Sequence, residues 1–127
     1  MKIRTFMVME NLEVDEKDSR KFTVTNMLGG IVPKSLPAKE SVVLLLTFDE
    51  VEDRPKDLEV LLLDPKDKPV SRWDKEMEPN RTVVGVVMAA TYNIEGIHHI
   101  KISYNGIFLG KFPFNVSIKK GGGQNGG

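Results

Sequence analysis

The histidines His98 and His99 are the side chains of this sequence best suited to acid–base or metal chemistry. An imidazole can act as a general base or bind a metal ion. Because the two are adjacent, a β-strand would point them to opposite faces, so they could not readily share one ion. We therefore expect both to be structural.

Two acidic runs, at residues 15–18 and 49–53, carry the other candidate ligands. Loop carboxylates of this kind can hold calcium, which remains an alternative. Neither run has the Asp-x-Asp-x-Asp-Gly spacing of a calcium loop, and both contain or adjoin basic residues. We predict no metal ion and no cofactor.

Motifs for covalent or phosphate chemistry are missing from the sequence. Gly29-Gly30 lies in no phosphate-binding context, and no Gly-x-Ser-x-Gly occurs. The sequence has no cysteine, which excludes disulfides, thiolate zinc sites and a cysteine nucleophile. We predict that the protein is not an enzyme and assign no catalytic residue.

The charge balance, 18 basic against 18 acidic residues, supplies no overall field for nucleic acid or an anionic membrane. Arg4 interrupts the short apolar N-terminal stretch, which therefore does not read as a signal peptide. We predict a soluble, cytoplasmic protein with no nucleic-acid or membrane partner.

Three apolar side chains are candidates for contact with a partner. Trp73 is the only tryptophan, a residue enriched at binding hot spots, although it could equally fill the core. Phe108 and Leu109 follow Asn105-Gly106, and apolar residues near a hairpin tip are often exposed. We predict Trp73, Phe108 and Leu109 as possible contacts with an unidentified protein.

The element that would hold these last two residues is a β-hairpin. Asn105-Gly106 suits a type I′ turn, and alternating apolar residues flank it on both sides. Pro113 cannot donate to a strand ladder, so its strand is expected at an edge or a bulge. The residues expected on the buried face are Ile100, Ile102, Tyr104, Phe112, Phe114 and Val116.

Other stretches also read as short strands. Residues 3–9 predict a first strand, residues 10–21 a polar loop, and the apolar run 42–48 a strand covered on both faces. We predict an all-β fold: a single immunoglobulin-like sandwich of about seven to nine mostly antiparallel strands over residues 1–120. Residues 121–127 read as a flexible glycine-rich tail.

Several of these turns and alternating strands occur together in one known family. They are Asn-Met-Leu-Gly-Gly ending at Gly30, Leu61-Leu-Leu-Asp-Pro65 with Pro69-Val70, and Gly96 through Tyr104-Asn-Gly106 to Phe114 and Val116. The chain up to Ile118 resembles a family of short, uncharacterised bacterial β-sandwich proteins, a domain of unknown function. The resemblance implies the fold and no active-site residue.

The function that these observations favour is a non-catalytic protein-binding or assembly module. One alternative is a small-ligand or carbohydrate-binding sandwich, which would need exposed aromatic residues among Trp73, Tyr92 and Tyr104. The other is a self-assembling structural subunit that pairs through sheet edges.

Overall fold

Nine β-strands form the protein in a computed structural model, which describes residues 1–18 and 20–119; no helix occurs within those ranges. The strands are β1 (Lys2–Val14), β2 (Phe22–Met27), β3 (Gly30–Ile31), β4 (Ala38–Asp49), β5 (Lys56–Leu63), β6 (Pro69–Met77), β7 (Val83–Tyr92), β8 (Gly96–Tyr104) and β9 (Ile107–Val116). The all-β prediction is confirmed. The predicted tail, residues 121–127, lies outside the described residues.

The strands make two sheets. The four-stranded sheet has the order β2-β1-β4-β7, and the five-stranded sheet, which curls into a half-barrel, has the order β3-β9-β8-β5-β6. All neighbours are antiparallel except β3 and β9, which run parallel. A Cβ at Gly30 would lie 2.0 Å from the carbonyl oxygen of Asn115, so only glycine permits this close pairing.

The core lies between the sheets and is built from alternate residues of each strand. The final hairpin shows how this happens. Asn105 and Gly106 have φ angles of 45° and 79°, the two positive values of the predicted type I′ turn. The hairpin buries Ile100, Ile102, Tyr104, Phe114 and Val116, with Phe112 partly buried against the same cluster. These strands therefore confirm the predicted alternation.

The stretch predicted as a polar loop after residue 9 is partly wrong, because β1 continues to Val14 and pairs with β2. β1 pairs with β4 only as far as Met9 opposite Val43. Beyond it, β1 and β2 form a two-stranded hairpin, and we call residues 10–14 and 22–27 the arm. Asn26, in the arm, has a φ of 49° at the point where the arm leaves β4.

The arm lies over the outer face of the four-stranded sheet. Leu12 Cδ2 would be 3.4 Å from a Cβ at Gly85 on β7, the far edge strand. Leu45 pairs with Met7 and Gly85, so it points outward, yet it is only 6% exposed. With Leu44 and Leu46 buried on the inner side, β4 is covered on both faces here, as predicted.

Candidate binding surfaces

The outer face of the four-stranded sheet carries no charged side chain over most of its area. We define the uncharged face as the outward positions in register between Thr47 and Ser41 of β4. They are Thr5, Met7, Met9, Met27, Ser41, Val43, Leu45, Thr47, Val83, Gly85, Val87 and Ala89. Such a face is unusual, because the outer side of an antiparallel sheet is normally polar.

One row of the uncharged face crosses all four strands. Met27 pairs with Met9, Met9 with Val43, and Val43 with Val87. Met27 and Val87, at the two edges, are each 66% exposed, whereas Met9 is fully buried at the base of the arm. Exposed apolar side chains at both ends of such a row are a feature of contact surfaces.

Beside this row, a groove separates the arm from the start of β7. It has a volume of about 530 Å³. Its apolar walls come from Leu12, Val14 and Phe22 of the arm and from Leu45 and Val83 of the sheet. The arm thus covers part of the uncharged face and leaves the two ends of the Met27–Val87 row, Met27 and Val87, exposed.

The outer face of the five-stranded sheet is different. Glu59 and Asp74 both bind Arg72, at 2.8 Å and 3.0 Å, and Lys111 lies 3.6 Å from Asp67. We define the charged face as the outward residues of β5, β6, β8 and β9. They include Asp57, Glu59, Leu61, Arg72, Asp74, Glu76, His99, Lys101, Ser103, Phe108, Lys111 and Pro113.

The three predicted contact residues are not brought together. Phe108 is 57% exposed on the charged face. Leu109 is the extra residue of a β-bulge opposite Ile102 and Ser103, and it packs partly against the core. Trp73 lies on the edge strand β6, points inward and is half-buried against the core. Among the three, Phe108 is therefore the most accessible.

The two histidines point to opposite faces, as predicted. His99 pairs with Pro113 on the charged face, and His98 is fully buried between the sheets. His98 Nδ1 lies 3.2 Å from the Gly96 carbonyl oxygen, and its ring meets Tyr92 edge-on at 5.4 Å. Burial, followed by the charge of Glu40, raises the pKa of Tyr92 to about 12. These contacts fit the structural role expected for His98.

The two acidic runs are engaged in turns and ion pairs. Asp15 Oδ1 accepts hydrogen bonds from two backbone N–H groups of its own loop. Hydrogen bonds from Arg20 lower the pKa of Asp18, and those from Lys2 lower the pKa of Glu50. Within residues 1–18 and 20–119, no three His, Asp or Glu side chains form a group able to hold a metal ion.

Lys56 is a buried charge that the sequence reading did not single out. Its side chain is 1% exposed, and Nζ lies 3.4 Å from the carbonyl oxygens of Glu52 and Glu78. These two residues belong to the β4–β5 and β6–β7 connections. Lys56 therefore links two loops at one end of the core, which is a structural role.

The sequence reading also missed Met27 and Val87. The signal that could have found Val87 is the composition of β7, Val83–Tyr92, which is apolar or small at both parities. A strand with one wet face would alternate with polar residues. Met27 had no such signal, because its place beside Met9 depends on the path of the arm.

Comparison with known proteins adds no identity to these surfaces. No protein-family model matches the chain, and no curated protein matches its sequence. None of the described residues form a helix of the length and apolar character needed to cross a bilayer. Inferences about function therefore rest on the surfaces of the protein itself.

Proposed function

We propose that the protein is a non-catalytic binding module that docks a partner protein on its uncharged face. The observation that carries the proposal is the Met27–Val87 row, which is apolar across four strands and two-thirds exposed at both ends. The central parts of protein interfaces are apolar and depleted of charge. Methionine adapts its shape to a contacting surface, which suits Met27 to this role.

Two alternatives receive less support. A carbohydrate platform needs exposed aromatic rings, but Tyr92 is 1% and Tyr104 8% exposed, and Trp73 points inward. Self-assembly through the β9 edge is opposed by Pro113. The N–H of Asn115 donates to Gly29 across that edge, so position 113 faces the same way and lacks an N–H.

We further propose that the two sheets form an immunoglobulin-like sandwich. The order β9-β8-β5-β6 in one sheet and β4-β7 in the other matches the strand neighbours of that fold. The parallel pairing of β3 with β9 also supports it. Membership of the bacterial family and a cytoplasmic location remain predictions, the second supported by the absence of cysteine.

The test compares two charged substitutions of exposed apolar residues, Val87→Lys on the uncharged face and Ile97→Lys on β8. Both residues are more than half exposed, so neither change should unfold the chain. Each variant and the unaltered protein are used to capture partners from lysate. A protein retained by Ile97→Lys and lost with Val87→Lys supports the proposal. Equal capture by both variants would overturn it.

A further inference from the structure

β4 is an inner strand of its sheet but has a free edge along part of its length. On one side, β7 pairs with it all the way to Ala38 opposite Tyr92. On the other side, β1 stops pairing at Met9 opposite Val43, where the arm turns away. Residues 38–42 therefore have no strand on that side within the described part of the chain.

The backbone groups that face this opening can be identified from the ladder. The N–H of Leu28 donates to the carbonyl of Val8, so the backbone N–H and C=O groups of Val8 point toward β2 and those of Met9 point toward β4. Hydrogen-bonding direction alternates along a strand. The backbone groups of Val43 therefore point toward β1, and the N–H and C=O groups of Ser41 and Lys39 point toward the opening. Unpaired backbone groups of this kind accept an added strand.

A groove lies along this free edge. It has a volume of about 560 Å³, and its charged lining consists of two carboxylates, Glu10 and Glu40. We call it the edge groove. Its remaining lining residues are Leu28, Gly30, Ile31, Val32, Pro33, Ser41 and Val42.

The two carboxylates occupy unusual positions. Glu10 is two residues beyond Val8, and Glu40 two residues before Val42, and both Val8 and Val42 are buried in the core. By strand alternation Glu40 points toward the space between the sheets, and Glu10 lines the same groove, yet both are exposed. Glu10 accepts a hydrogen bond from Asn26 Nδ2 at 3.1 Å, and within the described residues neither glutamate is ion-paired.

We propose that the edge groove takes an extended, basic segment of a partner protein, which adds to the four-stranded sheet beside residues 39–41. The backbone of the segment forms about four hydrogen bonds with Lys39 and Ser41. Some of its inward side chains are apolar and contact Ile31 and Val42. Another is a lysine or arginine that lies between Glu10 and Glu40. The two carboxylates favour a segment of positive charge, and the free strand edge favours an extended conformation.

The proposal goes beyond the uncharged face, because it concerns the open edge of β4 and not an outward surface of the sheet. The two can therefore fail separately. Val87→Lys should abolish docking on the uncharged face and leave binding at the edge groove unchanged.

The test uses three synthetic heptapeptides and measures their binding to the full chain by fluorescence anisotropy and by amide NMR shifts. The first alternates valine and lysine, the second replaces lysine by glutamate, and the third is the lysine peptide with alternate backbone nitrogens methylated. We expect the lysine peptide to bind and to shift the amides of Lys39 and Ser41. Methylation should weaken binding at least about tenfold, because it removes backbone donors without changing charge.

Protein variants then test the carboxylates. Glu10→Gln and Glu40→Gln should each weaken the lysine peptide about fivefold, more so at low salt. Glu13→Gln is the matched control, because Glu13 lies on the same arm and outside the edge groove. Ser41→Pro removes the N–H that faces the opening and should also reduce binding.

Three results would overturn the proposal. The first is no binding of the lysine peptide. The second is equally strong binding of the methylated peptide, which would leave only non-specific charge attraction. The third is unchanged binding of the lysine peptide by the double variant Glu10→Gln/Glu40→Gln, which would mean that the two carboxylates take no part in the site.

Discussion

The outer faces of the two sheets are protected from solvent in different ways. On the charged face, carboxylates and cations project into solvent and pair with one another, as Arg72 does with Glu59 and Asp74. On the uncharged face, the chain covers its own sheet with the arm. The difference is that the arm leaves Met27 and Val87 exposed on an apolar face, which is where we propose that a partner docks.

Leu45 and Leu61 allow the two faces to be compared at equivalent positions. Each is an outward leucine on an inner strand, β4 in one sheet and β5 in the other. Leu45 is 6% exposed beneath the arm, whereas Leu61 is half-buried between Lys101 and Arg72. Their substitution should therefore give the largest difference between the faces.

We expect Leu45→Ala to lower the free energy of unfolding by about 2–4 kcal/mol, and Leu61→Ala by about 1 kcal/mol. The first change removes a leucine enclosed by the arm, and the second trims one that solvent already reaches. Urea unfolding of both variants measures the difference. Equal losses would show that the arm does not pack on the sheet, and the comparison of the two faces would fail.

In the interior between the two sheets, ionisation of Tyr92 gives a second, smaller effect on the free energy of unfolding. Burial raises the pKa of Tyr92 from 10.0 to about 12, so the folded state disfavours the phenolate. The stability that this protonated phenol contributes is complete below pH 10 and is lost as the pH rises through about 12. The loss should reach about 2 kcal/mol.

Urea midpoints measured between pH 8 and pH 12 test this expectation, with Tyr92→Phe as the control. The variant has no phenol at position 92 and should lose less stability over that range. If both proteins follow the same curve, the high-pH loss comes from other groups. A steeper loss in the variant would contradict the assigned direction.

Local chemistry explains which parts of this fold could be read from the sequence. Asn105-Gly106 determines its turn through backbone angles that few residues adopt, and the alternation around it follows from one buried face. The inward direction of His98 and the outward direction of His99 follow from the same alternation. Each of these predictions depended on residues that are neighbours in the chain.

The arm and the edge groove could not be read in this way, because they depend on contacts between distant residues. Glu10, Asn11 and Glu13 make residues 10–14 polar enough to suggest a loop. Leu12 packs beside Gly85 on β7, some seventy residues away in sequence, and Val14 lines the same groove. The point where β1 leaves β4, which opens the edge groove, is likewise set by tertiary packing and not by strand propensity.

The charged face should show the smallest effect of all. Arg72→Ala removes both ion pairs, but its side chain is 61% exposed and those of Glu59 and Asp74 are 32% and 55% exposed. Solvent screens such pairs, so we expect a loss of about 0.5 kcal/mol that fades between about 0.05 M and about 1 M salt. Leu45→Ala, whose effect is apolar, should keep its full loss at both concentrations. If Arg72→Ala cost as much as Leu45→Ala in high salt, the charged face would be held by packing of the arginine stem against Leu61, and the two faces would then be stabilised in the same way.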